Sequence, residues 1–355
     1  MGAGARFAQR SRGLALRPRF RWPCPASAAR PGTRLAPAVS GTGGRVIEVA
    51  AAVVERPDGC FLLAQRPAGK VYAGWWEFPG GKVEAGESVQ QALARELHED
   101  LGLVVERSWP WITREHRYEH GHVRLHFHRV DRWRGEPRGR EGQRFSWQAR
   151  ADRPTVAPLL PANGPVLSAL SVPVTMGVSD ASGMGETAFL AALDRALAQG
   201  LRMVQFREKT MPAMAARSLL GKVQARVDAV GGRVVVNADG TAIAQGAQAI
   251  HLPDWLLASI AGRPGAELVG GSCHDAAGLS HARRLALDYV LLGPVLATPS
   301  HPGAPAMGWS RFAALVAGMP MPVFAIGGLS PMDLDEARAA GAHGVAGIRG
   351  FWSGR

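Results

Sequence analysis

Cysteine is scarce in this sequence, with three residues, Cys24, Cys60 and Cys273, in 355. Thiols so few and so scattered exclude a disulfide framework and a cysteine metal site, and they fit a reducing, cytoplasmic setting. Long apolar runs are missing as well. None reaches the roughly 18 residues that a membrane helix needs, so no membrane association is expected. The first 47 residues lack acids and lysine altogether but hold nine arginines. The whole chain has 41 basic and 29 acidic residues and a formal net charge of +12. Without those nine arginines the balance is 32 against 29, so the basic signal is a tail rather than a nucleic-acid surface, and no stable nucleic-acid partner is expected. Residues 1–44 are rich in Arg, Ala, Pro and Gly with no helical apolar period, and they read as a disordered basic extension. The same composition would also suit an organelle transit peptide.

What is present divides the chain in two. From residue 45 to 171 short strands and turns dominate: an apolar run at Val46 to Val54, a turn at Pro57-Asp58-Gly59, a returning strand at Cys60 to Ala64, and later strands at Val123 to Val130 and Arg144 to Trp147. A proline-rich connection from Arg150 to Pro165 leads into the second part. From residue 172 to 355 strands alternate with helical patterns. Eight strand candidates, from Val172–Val178 to Gly344–Ile348, with crossover helices such as Ala188 to Gln199, predict a parallel (β/α)8 TIM barrel. The chain runs out just after the eighth strand, so the last helix is expected to be reduced.

The strongest chemical signal is GKVEAGESVQQALARELHEDLGL, residues 81–103. Ser88 and Gln91 form a capping-box pair, Val89, Leu93 and Leu97 an apolar stripe, and Gly102 a stop. Glu96, Glu99 and Asp100 then crowd one helical turn. Carboxylates packed this closely repel one another unless a hard cation such as Mg²⁺ or Mn²⁺ neutralises them, with substrate phosphates completing its shell.

Gly81, Glu87, Arg95-Glu96-Leu97, Glu99-Asp100 and Gly102-Leu103 together resemble the signature of the Nudix hydrolases, with Asp100 where that family has Glu. The resemblance implies an α/β/α sandwich with a mixed sheet, and it is greatest to the MutT-type 8-oxo-dGTP diphosphatases. It further implies a metal set of Gly80 (through its carbonyl), Glu96, Glu99, Asp100 and Glu141, with catalysis by Glu96, Glu99 and Arg95. Arg66, Glu77, Phe78, Pro79, Gly80 and Asn163 would contact the nucleoside triphosphate, and Asn163 would read the oxidised purine. Five histidines between His116 and His128 are expected to line the nucleotide cleft rather than to hold zinc, which would need about four converging ligands.

The second half is similar to thiamine-phosphate synthase and to the thiazole tautomerase. Gln205, Arg207, Lys209, Asn237, Gly327 and Gly328 would form its phosphate site, and Ser330-Pro331 opens a helix beside it. The departures matter: Ala238 follows Asn237 where the synthase has Asp, only Asp254 or Asp239 could replace its second metal-binding Asp, and Pro294 follows Gly293 where the tautomerase has His. A degenerate barrel that binds a phosphorylated thiazole or pyrimidine is therefore expected. Two other expectations stay open: hydrolysis of thiamine pyrophosphate or its analogues, and control of the hydrolase by a ligand-sensing barrel.

Overall fold

The computed structural model describes residues 46–118, 121–140, 142–150, 153–238, 244–298 and 305–353. The basic extension at 1–44 lies outside them. The first half comprises β1 (Ile47–Val54), β2 (Cys60–Gln65), β3 (Trp76–Glu77), β4 (Gly80–Lys82), α1 (Val89–Leu101), β5 (Val104–Tyr118), β6 (Gly121–Arg134), β7 (Phe145–Ala149) and α2 (Gly164–Leu170). A mixed sheet runs in the order β4-β1-β6-β5, and a second, three-stranded sheet in the order β3-β2-β7. Strand β1 is almost wholly apolar because both its faces are covered. Ala50, Ala52 and Val54 pack under Leu93, Leu97 and Leu101 of α1. Ala51 and Val53 face Phe61, Phe127 and Val166 on the α2 side.

Strand β5 is the element that sequence patterning did not reveal. Its 15 residues pair antiparallel with β6, but the register slips near Arg107 and again between Pro110 and Thr113. Each slip breaks the period of two by which a strand announces itself.

The second half is a closed parallel barrel, β10-β11-β12-β13-β14-β15-β8-β9. In chain order its strands are β8 (Thr175–Val178), β9 (Met203–Phe206), β10 (Arg233–Asn237), β11 (Ala249–Leu252), β12 (Leu268–Cys273), β13 (Tyr289–Leu292), β14 (Val323–Ile326) and β15 (Gly344–Gly347). Met176, Met203, Val235, Tyr289 and Phe324 fill the interior. The surrounding helices are α3 (Ala181–Met184), α4 (Glu186–Ala198), α5 (Ala213–Ala229), α6 (Asp254–Ser259), α7 (Ala276–Arg284), α8 (Gly308–Val316), α9 (Leu334–Ala339) and α10 (Arg349–Trp352). Helix α10 has four residues. Its Trp352 donates from the indole to Val178 O at 2.7 Å and meets Phe189 edge-on.

The two halves meet where the exposed edge of β5 lies against the N-terminal end of the barrel. Thr113 N donates to Met319 O at 3.0 Å and Arg114 Nη1 to Pro320 O at 2.9 Å. Trp111 Nε1 donates to His343 Nδ1 at 3.1 Å, and Arg107 Nη1 reaches Asp335 at 3.2 Å. An edge strand otherwise presents unpaired peptide groups, and this contact covers them. The carboxyl ends of the barrel strands, where such folds carry their sites, are left at the other end. No helix among the described residues is long and apolar enough to cross a membrane.

Candidate active site

Helix α1 begins as its sequence predicts. Ser88 Oγ accepts from Gln91 N and the Gln91 side chain accepts from Ser88 N, and Gly102 ends the helix in the left-handed region at φ 73°. With Leu93, Leu97 and Leu101 buried, Arg95, Glu96 and Glu99 sit on the flank of the helix. Arg95 organises this flank. Its Nε and Nη2 grip both oxygens of Glu87 at 2.9 and 3.0 Å, and its Nη1 donates to Glu96 at 2.9 Å and to Glu99 at 3.2 Å. Lys82 O accepts a fifth bond at 3.1 Å. The hydrogen bond from Arg95 holds the Glu87 carboxyl below its usual range, and Glu87 and Glu96 raise the Arg95 guanidinium above its own.

Strand β4 needs glycine at Gly80, against backbone, and glycine at Gly81 leaves the room that Glu96 takes. A Cβ at Gly81 would fall 2.1 Å from the Glu96 carboxylate, and one at Gly80 would fall 2.0 Å from Ala50 O. Bare backbone thus lets a carboxylate settle against the β4 turn. Two carboxylate groups sharing one guanidinium nitrogen, beside a glycine turn, form a donor set of the type a hard divalent cation takes. The larger predicted metal set is only partly in view: among the described residues no group of three or more His, Cys, Asp or Glu side chains is placed to hold a metal ion. Glu141, its fifth member, lies outside them. Asp100 lies near enough to Glu77 for its charge to raise that carboxyl, and its own backbone carbonyl accepts from Arg140 N and Gln143 Nε2.

A second group of expected site residues lies just after β2, in β3 and just before α2. Arg66 Nη1 donates to both Glu77 oxygens at 2.6 and 2.7 Å while its Nε holds Val71 O. Burial raises the Glu77 carboxyl in spite of this partner. Asn163 ends a short 3₁₀ turn, is 4% exposed, and donates from Nδ2 to Trp76 O at 3.3 Å. Phe78, expected as a nucleotide contact, packs between Phe61 and Phe127 and is 4% exposed. Pro79 is buried, and its carbonyl accepts from Ala52 N.

Sequence reasoning missed an aromatic cluster near Glu77. Tyr118 meets Tyr72 at 5.7 Å and His116 at 4.4 Å, and Tyr72 meets Trp75 at 5.3 Å. Burial and the Glu77 charge push the Tyr118 hydroxyl up to about 12. Only the tyrosine scarcity, three in the chain, could have drawn attention to two of them here. Of the clustered histidines, His116 alone is seen to join this group. His126 pairs with Glu48 at 2.6 Å, His122 with Glu115 at 3.1 Å, and His128 is half-buried in β6. His120 lies outside the described residues.

At the carboxyl end of the barrel, Gln205 and Asn237 are buried, and Asn237 Nδ2 has no hydrogen-bond partner. Arg207 N donates to Ser179 Oγ, and both Arg207 and Lys209 have further polar partners. His251, buried between Tyr289 OH at 3.1 Å and Ser272 Oγ at 2.8 Å, is pushed down to about 3 by burial and by Arg207. Gly327 and Gly328 both have positive φ, and Ser330 caps the following turn with Asp333. Asp254 begins α6 and stands 3.9 Å from His274. Asp239 lies outside the described residues.

Comparison with known proteins agrees with this division. Residues 50–169 match the NUDIX domain and residues 175–351 match thiamine monophosphate synthase. An 8-oxo-dGTP diphosphatase of Haemophilus influenzae is 41% identical over 29% of this chain and 76% of its own. A CTP pyrophosphohydrolase of Escherichia coli is 42% identical over 35% of this chain and 91% of its own. A thiamine-phosphate synthase of Thermobifida fusca is 39% identical over 44% of this chain and 75% of its own.

Proposed function

The chain belongs to the Nudix hydrolases through its first half and to the thiamine-phosphate synthase family through its second, and on that premise we propose that it hydrolyses 8-oxo-dGTP to 8-oxo-dGMP and pyrophosphate, a cytoplasmic reaction that clears damaged nucleotides from the DNA precursor pool. The observation that carries the hydrolase reading is Arg95, whose one guanidinium holds Glu87, Glu96 and Glu99 together over the Gly80-Gly81 turn.

Glu96, Glu99 and the Gly80 carbonyl are the groups that would hold Mg²⁺ or Mn²⁺, with Asp100 and Glu141 as the further ligands that the family resemblance assigns. Bound there, the cation would neutralise the triphosphate and acidify a water. The chain's own groups do the rest. Glu99, the more exposed of the pair, takes the proton of the attacking water while Arg95 keeps Glu96 in place. Water oxygen joins the β-phosphorus, the bridge to the α-phosphate breaks, and monophosphate and pyrophosphate leave. Arg66 and Glu77 order the nucleotide site. Asn163 offers a donor and an acceptor to the purine edge, where oxidation has turned N7 from a bare acceptor into a donor. A site built to pair with that N–H rejects a base without it, because buried polar groups are then left unmatched.

The test is the ratio of kcat/KM for 8-oxo-dGTP over dGTP in the wild type and in Asn163→Ala. The proposal expects a large ratio that narrows in the variant; an unchanged ratio removes Asn163 from base reading. The barrel is proposed to bind a phosphorylated thiazole or pyrimidine without turning it over, on the partnerless amide of Asn237 and the Ala238 that follows it. Thiamine phosphate formed from its two precursors would refute that. The barrel's family also supports a second substrate reading, thiamine pyrophosphate or its analogues, which the same assay includes.

A further inference from the structure

A cavity of about 1130 Å³ lies at the junction of the two halves, large enough for a nucleotide-sized ligand. It belongs to neither site described above. Thr113, Arg114 and Glu115 of β5 and Arg124 and His126 of β6 form one wall. The N-terminal end of the barrel forms another, through Arg233, Leu268, Asp288 and the segment before β14.

The lining is unbalanced in charge. Six arginines reach it, Arg114, Arg124, Arg150, Arg233, Arg263 and Arg283, against the acids Glu115, Glu267 and Asp288. Two of those acids are engaged within the lining, Glu115 by Arg124 Nε at 3.1 Å and Asp288 by Arg263 Nη2 at 2.6 Å, and two of the arginines also hold acids outside it, Arg124 with Glu48 at 2.9 Å and Arg150 with Glu55. Arg150 and Arg263, one from each half, also carry a buried guanidinium N–H, Nε and Nη1, with no hydrogen-bond partner. A guanidinium N–H left without a protein acceptor in a cavity wall favours an anion that can accept from it. Their planar forks match phosphate oxygens, and one phosphoryl group supplies nearly two negative charges. Phe61, Leu167, Met321 and Pro322 add apolar surface on which an organic body could rest.

We infer that this junction cavity is a binding site for a phosphorylated small molecule, held by arginines contributed from both halves of the chain. The ligand would bridge β5 and the barrel and so tie the two domains together.

The probe is AMP, which lacks the phosphoanhydride that the proposed hydrolase site cuts, titrated calorimetrically into the full-length protein in EDTA. Arg283 is exposed in the last turn of α7, so Arg283→Glu should leave the fold intact. Saturable binding weakened about tenfold or more by Arg283→Glu and by Arg263→Ala, and unchanged by Arg66→Ala and Arg207→Ala, is the expected result. Matching thermal melts for Arg283→Glu and wild type establish that the loss is local. Absence of saturable binding overturns the inference. So does an affinity that survives Arg283→Glu, or one lost only in Arg66→Ala or Arg207→Ala, which would put AMP in the nucleotide site or at the far end of the barrel.

Discussion

Trp111 and His343, 232 positions apart, share a buried hydrogen bond in which the indole Nε1 donates to the imidazole Nδ1 at 3.1 Å. The other ring nitrogen, Nε2, then carries the proton and donates to Val172 O at 3.0 Å. Burial and the nearby Arg129 push His343 well below its ordinary range, so it remains neutral, as an acceptor facing Trp111 must. One imidazole thus joins the β5 edge to the start of the barrel. Trp111→Phe keeps the packing but leaves a buried acceptor unmet, which costs about 1 to 3 kcal/mol. Calorimetry should show a lower Tm and a transition that begins to separate into two; an unchanged single transition would mean the bond does not couple the halves.

Acid should destabilise the protein before its carboxylates titrate. His128 is pushed down to about 4 and His251 to about 3, both chiefly by burial, and His343 is lowered too. Each folded pKa lies below the unfolded value near 6.5, so the unfolded chain binds more protons between them. The stability these rings contribute is complete above pH 6.5 and is lost as pH falls through that window, at about 1.4 kcal/mol per pH unit for each ring. Urea midpoints at pH 7 and pH 5 test this, and equal midpoints would contradict it.

Arg95 acts through the carboxylates it holds. Arg95→Ala should lower kcat about 100-fold with a much smaller change in KM. Arg95→Lys should recover only a small part, since an ammonium cannot grip Glu87 through two nitrogens while also reaching Glu96 and Glu99. A KM effect with kcat preserved would make Arg95 a substrate-binding group instead.

Gly81→Ala tests the turn. Its Cβ would meet the Glu96 carboxylate at 2.1 Å, so Glu96 must move. The Mg²⁺ concentration needed for half-maximal activity should rise about tenfold or more, with far-ultraviolet circular dichroism unchanged. Wild-type metal dependence in the variant would remove Glu96 from the cation's ligands.

Much of this was legible in the sequence, and the reasons differ by element. Helix α1 carries its own start, stripe and stop within 15 residues, so local rules find it. The barrel strands are short apolar runs, most with a glycine or proline near one end, which marks them. Strand β5 was not legible because Trp109-Pro110-Trp111 and three register shifts break its alternation. The pairing of Arg95 with Glu87, eight residues earlier, depends on how the β4 turn meets α1. The aromatic cluster of Tyr72 and Tyr118 and the contact of Trp111 with His343 join segments far apart in the chain, which no local pattern records.

The measurement closest to the central claim is kcat/KM of the full-length protein with Mg²⁺ on 8-oxo-dGTP, dGTP, CTP and thiamine pyrophosphate, with products identified. The account predicts a clear preference for 8-oxo-dGTP, yielding 8-oxo-dGMP and pyrophosphate. A preference for CTP or thiamine pyrophosphate would contradict it, leaving the Nudix chemistry in place but removing Asn163 as the reader of an oxidised purine.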